Sequence, residues 1–177
     1  MNPKFFIIEG PDRTGKTTLA HFLKEYINVR SSATYFHCDF TPTLAYAMYD
    51  YQCSVVKNME LNFRMGNSII IDRLWPSNII YRDAIDNQQP CDWTEMKDLL
   101  RNLGAVYIFA DCDSCFDRHK ADMDPAHPYN DTQYRKVVQG YRDLYETLSI
   151  TDQCIRYDLD IYQNKIEPFM RILGYDK

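Results

Sequence analysis

Residues 4–18 read KFFIIEGPDRTGKTT, and this stretch decides the fold. Residues 4–9 are an apolar run closed by Gly10-Pro11, which predicts a buried strand ending in a turn. Residues 16–28 carry Leu19, Phe22, Leu23 and Tyr26 at helical spacing. Between strand and helix, Gly10-Pro11-Asp12-Arg13-Thr14-Gly15-Lys16-Thr17 fits G-x-x-x-x-G-K-[ST]. Phosphate oxygens need several backbone N–H groups converging on them, and glycines let the chain wrap that closely. The following helix turns its positive end toward the anion. Lys16 suits the outer phosphates, and the Thr17 hydroxyl suits Mg²⁺. ATP and Mg²⁺ are therefore expected at Gly10–Thr18.

The rest of the chain repeats the alternation of strand and helix. Strands are predicted at 33–38 (ATYFHC), 68–72 (SIIID), 105–110 (AVYIFA) and 154–158 (CIRYD). The run at 68–72 is short and almost wholly apolar, which predicts an internal position. Helices are predicted at 43–65, with Leu44, Met48, Tyr51, Val55 and Met59 on one stripe, and at 76–86, 93–102, 113–120, 131–148 and 161–173. Residues 121–130 read as a polar loop. This order implies one α/β domain over residues 1–177, with a five-stranded parallel sheet covered on both faces. In such a sheet ligands bind beyond the carboxyl ends of the strands. The residues after each apolar run are thus the ones that carry chemistry.

The bulk numbers narrow the partners. The chain has 177 residues and a formal net charge of −5, without the basic field expected of a protein that lives on duplex DNA. The N-terminal apolar stretch is too short for a secretory signal, and no segment approaches the length of a membrane span. A soluble, cytoplasmic protein with reduced cysteines is expected, with no membrane partner. Cys112, Cys115, His119 and His127 have a zinc-like spacing, but Cys112 follows a predicted strand and Cys115 opens the next helix, and no second C-x-x-C exists.

Inside the loop, Asp12-Arg13 is an unusual pair, and an arginine there lies where charge develops in phosphoryl transfer. FFIIEGPDRTGKTTLA resembles the start of a thymidylate kinase, of the class whose loop reads G-x-D-R-x-G-K-[ST]. The resemblance implies a three-layer α/β/α P-loop kinase fold. It assigns Asp12 to the 3′-hydroxyl of the acceptor sugar and Arg13 to transfer, beside Lys16 and Asp72 as catalytic residues. The third strand continues IIIDRLWPSNIIY, which is similar to that family's Asp-Arg site. By that similarity Asp72 supports Mg²⁺ and Arg73 grips the acceptor phosphate, with Ser77 and Tyr81 at matching distances. A strand-tip carboxylate can orient metal-bound water, and a guanidinium can hold a phosphate through two bonds. Residues 134–146 also resemble the helix after the lid in thymidylate and deoxynucleoside kinases, with the lid at about 113–130. Arg118 is its candidate to close over the phosphates.

The departures fall in the base pocket. Asp39, Phe40 and Thr41 stand where the family has a Phe-Pro-x-Arg segment, and Asn62, Phe63 and Arg64 match its helix-end pattern imperfectly. Asp39, Phe40, Arg64 and Tyr81 are the candidate acceptor contacts beside Asp12 and Arg73. The expected acceptor is a deoxypyrimidine monophosphate, dTMP or a 5-substituted dUMP. One alternative is a bacteriophage-type kinase acting on hydroxymethyluracil in DNA, with Lys57, Arg64, Arg73 and Arg82 lining a channel. Another is a deoxynucleoside kinase using Asp39 or Asp72 as base. From another class comes an inactive nucleotide-binding regulator, which the joint presence of Arg13, Lys16, Thr17, Asp72 and Arg73 opposes. A homodimer is expected only by analogy with such kinases.

Overall fold

A computed structural model of the chain describes residues 2–38, 45–85, 92–121, 129–162 and 166–175. Five strands, β1 (Phe5–Glu9), β2 (Ala33–His37), β3 (Ser68–Asp72), β4 (Val106–Asp111) and β5 (Gln153–Asp158), pair in parallel in the order β2-β3-β1-β4-β5. The helices are α1 (Lys16–Asn28), α2 (Ala45–Arg64), α3 (Trp75–Ala84), α4 (Thr94–Asn102), α5 (Cys115–Ala121), α6 (Asp131–Leu148), α7 (Leu159–Tyr162) and α8 (Ile166–Ile172). This is the three-layer α/β/α arrangement implied by the sequence. β3 is internal as expected, and β1 takes the centre.

Alternate side chains of each strand enter two different cores. Phe5, Ile7, Ile69, Ile71, Tyr107 and Phe109 meet Val56, Leu74, Trp75, Leu100 and Val137 on one side. Phe6, Ile8, Ile70 and Ile108 meet Leu19, Leu23 and Ile27 of α1 and Phe169 and Met170 of α8 on the other. Burial on both faces explains why β1 and β3 read as apolar runs with no polar alternation.

Helix boundaries follow local hydrogen bonding. α6 starts where predicted because Asn130 and Gln133 form a reciprocal capping box. The C-terminal helix, expected over 161–173, differs. Asp158 Oδ1 accepts from the backbone N–H groups of Asp160 (2.9 Å) and Ile161 (3.4 Å), so a helical turn begins at Leu159, directly after β5. α8 then covers Ile166–Ile172, and residues 163–165 lie outside the described ones. On α2 the expected stripe is also revised. Tyr51 is turned outward, at 40% exposure, and its neighbour Gln52 is buried instead. Among the described residues no helix is long and apolar enough to cross a membrane.

Gly10 fixes the junction of β1 with its neighbour. Its φ is +144°, and a Cβ there would lie 2.1 Å from the Ala110 carbonyl oxygen. Gly66 also has a positive φ, +93°, but open space around it. Gly10→Ala is expected to cost at least about 3 kcal/mol, and Gly66→Ala about 1–2 kcal/mol. Urea unfolding of the two variants checks this, and equal midpoints would refute the steric argument.

Candidate functional site

The order of the strands brings the site together. β1 lies between β3 and β4, so the loop leaving it emerges between Asp72-Arg73 on one side and Ala110-Asp111 on the other. Residues far apart in the chain become neighbours through strand pairing alone. The loop itself is held by internal bonds. Thr14 Oγ1 donates to the Pro11 carbonyl (2.8 Å), and Lys16 Nζ donates to the same oxygen (2.5 Å). Gly15 is left-handed (φ +79°) and packs under Leu159, where a Cβ would come within 2.9 Å of that side chain. Arg13 also has a left-handed backbone, φ 69°, which is costly for a residue with a Cβ. Burial pushes the Lys16 amino group down to about 7, and the nearby Arg73 charge adds to the effect. The loop, Thr17, Thr18, His37 and Arg73 border a cleft of about 360 Å³.

Asp72 lies behind two residues that border this cleft, Thr17 and His37, and is fully buried. Its Oδ2 accepts from Thr17 Oγ1 (2.7 Å) and Tyr35 OH (3.4 Å), and lies 3.1 Å from His37 Nδ1. Its Oδ1 is equally buried and has no hydrogen-bond partner among the described residues. Three groups thus engage one oxygen, Thr17 among them, and leave the other without a hydrogen-bond partner among the described residues. Hard oxygen donors in this arrangement fit Mg²⁺. Nothing in the sequence singles out Tyr35 and His37, which lie on the edge strand β2, where His37 is in register with Asp72.

Arg73 itself borders the cleft. Its backbone is left-handed (φ 70°), and its guanidinium has a side-chain exposure of only 11%. It is ion-paired with Asp12, donates to Ser77 Oγ (3.3 Å) and Tyr81 OH (3.4 Å), and lies 5.1 Å from the Tyr81 ring centre. Burial works against this charge, but the Tyr81 and Asp12 oxygens outweigh it and hold the guanidinium well above its ordinary value. Beneath Arg73 is Glu9, the last residue of β1, which has no exposure. Its carboxyl accepts from the Leu74 backbone N–H (2.5 Å), Ser77 Oγ (2.8 Å) and Tyr141 OH (3.2 Å). Glu9 thus joins the central strand to α3 and α6. Its signal in the sequence is a single acid ending an apolar strand directly before the loop glycine.

Other sequence candidates fall elsewhere. Arg118 is on α5 at the same end of the sheet, where it bonds Asp160 (3.0 Å), and Ser114 shares that carboxylate. Arg64 ends α2 at the opposite end of the sheet, where β3 begins. It is 67% exposed and pairs with Glu60 one turn back (2.8 Å). A base contact by Arg64 is thereby corrected, because a full strand length, roughly 16 Å, separates it from the tip of β3. For the same reason Lys57, Arg64, Arg73 and Arg82 do not line one channel. Asp39 and Phe40 lie outside the described residues.

The structural neighbours share this architecture over nearly the whole chain. One is the YorR protein of Bacillus subtilis in complex with phosphorylated GDP, 14% identical, with a TM-score of 0.65 and coverage of 97% of this chain and 95% of that one. Another is thymidylate kinase from Ehrlichia chaffeensis, 16% identical, with a TM-score of 0.64 and coverage of 99% and 100%. A third is deoxyadenosine kinase from M. mycoides with bound dATP, 16% identical, with a TM-score of 0.62 and coverage of 97% and 100%. No family model and no curated protein matches the sequence. The chain has the P-loop nucleotide-kinase fold.

Burial raises Glu9 from 4.5 to about 7, an effect that Ser77 and Arg73 only partly offset. The folded chain therefore keeps a proton there, through the window from 4.5 to about 7, that the unfolded chain has released. Glu9 makes the protein less stable as pH rises through that window. Glu9→Gln removes this titration. From about pH 5 to 8 the variant should lose less stability than the parent, by a difference on the order of 3 kcal/mol. Urea midpoints measured across the range check this, and parallel curves would show that Glu9 titrates normally.

Proposed function

We propose that the chain is an ATP-dependent, Mg²⁺-requiring phosphotransferase whose acceptor is a nucleoside monophosphate, of the deoxypyrimidine class that includes dTMP and 5-substituted dUMP. The observation that carries this is Arg73, a cation kept charged at 11% exposure and held by Asp12, Ser77 and Tyr81 beside the phosphate loop. A second phosphate at the rim of the loop gives such a guanidinium a bidentate partner. Asp12 then becomes available to the acceptor's sugar hydroxyl. An oxygen of the acceptor phosphate attacks the terminal phosphorus of ATP in line, and the bond to the ADP oxygen breaks. Lys16 and Arg13 stabilise the charge spread over the transferring group. Thr17 and Asp72 would hold Mg²⁺, which neutralises and orients the phosphates when bound. The thymidylate kinase and deoxyadenosine kinase among the structural neighbours support a nucleotide kinase in general.

A deoxynucleoside kinase is the second reading, and Glu9 favours it. A carboxyl raised to about 7 suits a general base for a free hydroxyl. It ranks lower because Glu9 is fully buried and its oxygens are engaged by Leu74, Ser77 and Tyr141.

Conversion of ATP to ADP by the purified protein, with Mg²⁺ and either monophosphates or free nucleosides, separates the two. Lys16→Ala is expected to lower turnover about 10²–10³-fold with any acceptor. Arg73→Ala is expected to lower kcat/KM for the monophosphate about 10–100-fold. A kinetically silent Arg73→Ala would remove the acceptor-phosphate assignment, and turnover with nucleosides alone would move the function to the second reading.

A further inference from the structure

Cys112 and Cys115 form a C-x-x-C spacing that the phosphate chemistry leaves unused. Cys112 follows β4, and Cys115 opens α5. The spacing does not make a metal centre, because among the described residues no group of three or more His, Cys, Asp or Glu could hold an ion. It does make a pair. The Cys115 backbone N–H donates to the Cys112 carbonyl (3.3 Å), and the Cys112 thiol shares a hydrogen bond with the Cys115 sulfur. A turn closed from its first to its fourth residue keeps those Cα atoms within about 7 Å, a separation that a disulfide can span. Both side chains are buried, yet Cys115 borders a cleft of about 410 Å³ whose other walls include Phe116, Arg135, Arg142 and Asp113. The shared hydrogen bond makes the two thiols unequal. It lowers the Cys115 thiol against the effect of burial, with the Arg142 charge adding a little, and it raises the Cys112 thiol, where burial acts in the same direction. Cys53 and Cys154 are each raised by burial. The thiol that borders the cleft is therefore also the one eased toward its thiolate, and a second thiol lies against it.

We propose that Cys112 and Cys115 are a redox-active dithiol, a site of reversible oxidation by a small peroxide that reaches Cys115 through this cleft. Cys115 is the attacking thiol and Cys112 the resolving one. The Cys115 thiolate attacks one oxygen of hydrogen peroxide, the O–O bond breaks, and the departing hydroxide takes up the proton that Cys115 released, leaving water and a sulfenic acid on Cys115. The Cys112 sulfur then attacks the Cys115 sulfur, the S–O bond breaks, and the hydroxyl leaves as a second water with the Cys112 proton. Two thiols lose two electrons to form one disulfide, and one peroxide becomes two waters. The reach is short because the turn already holds the two sulfurs together, so the second step follows the first without a large movement of β4 or α5. The reaction uses none of the groups assigned to phosphate transfer.

The test exposes the reduced, folded protein to hydrogen peroxide at neutral pH, blocks remaining thiols by alkylation and maps the cysteines by peptide mass, beside Cys112→Ser and Cys115→Ser. In the parent, the peptide that carries both cysteines should lose two hydrogens and both alkylation sites. It should do so at least about 10-fold faster than Cys53 or Cys154 is oxidised in the same molecules. Dithiothreitol should return both thiols. Cys112→Ser should stop at a sulfenic acid on Cys115, which dimedone traps, and Cys115→Ser should leave Cys112 reduced at the same exposure. A parent whose Cys112 and Cys115 are oxidised no faster than Cys53 and Cys154, or pass to sulfonic acid without a disulfide, would overturn the inference and make the pair ordinary core residues. Equal trapping of the sulfenic acid in the two variants would overturn the assignment of Cys115 as the attacking thiol. The map of the parent needs no substitution, so it decides the matter even where a variant fails to fold.

Discussion

A carboxyl group with no exposure at the end of the central strand is the constraint on which the site depends. Glu9 cannot be left unpaired in that position, because a buried acid without donors is costly. Its donors come from three places: the backbone of the turn after β3, a serine on α3 and a tyrosine on α6. Satisfying one side chain therefore fixes the start of α3 and the roll of α6 against β1. Ser77 also shares a bond with Tyr141 (2.7 Å), so the two helices are tied to each other as well as to Glu9. The next residue is Gly10, so the geometry of the loop between β1 and α1 starts from this knot.

Around it the backbone accepts strain. Arg13 and Arg73 are the two residues other than glycine with positive φ among those described, and they sit on adjacent strand-tip loops. Each costs of order 1–3 kcal/mol relative to a relaxed conformation. The surrounding bonds over-determine Arg73: its own N–H donates to the Ile8 carbonyl (3.0 Å), and its head is held by Asp12, Ser77 and Tyr81. A guanidinium fixed in this way loses little freedom when an anion arrives, which favours affinity.

The parts of the molecule legible in the sequence are those set by local rules. The strand–loop–helix reading of residues 4–28 rests on apolar runs and glycine geometry, and it coincides with β1 and α1. The start of α6 is written in Asn130 and Gln133. Sequence spacing does not supply lateral order. His37 reaches Asp72 because β2 pairs with β3 in one register, and no spacing rule connects positions 37 and 72. The early helical turn at Leu159 arises from a side chain, Asp158, that reads equally well as the end of a strand. On α2, Tyr51 and Gln52 are neighbours, so a turn of roughly 100° decides which faces inward. Hydrophobicity favours the tyrosine, and the fold buries the glutamine. An imperfect pattern match puts Arg64 near the base, whereas the antiparallel run of α2 carries it away from the ligand end.

The carbonyl of Pro11 receives the Lys16 ammonium at 2.5 Å, and burial holds that amine near 7. Burial therefore favours the amine without its proton more than in an exposed lysine. A polyphosphate settling in the loop favours the ammonium form, so binding draws a proton from the medium. The apparent affinity then weakens as the solution becomes more alkaline than about 7. The heat of binding includes the ionisation enthalpy of whatever buffer supplies the proton. Binding of an anion at this loop would then be linked to the uptake of a hydrogen ion.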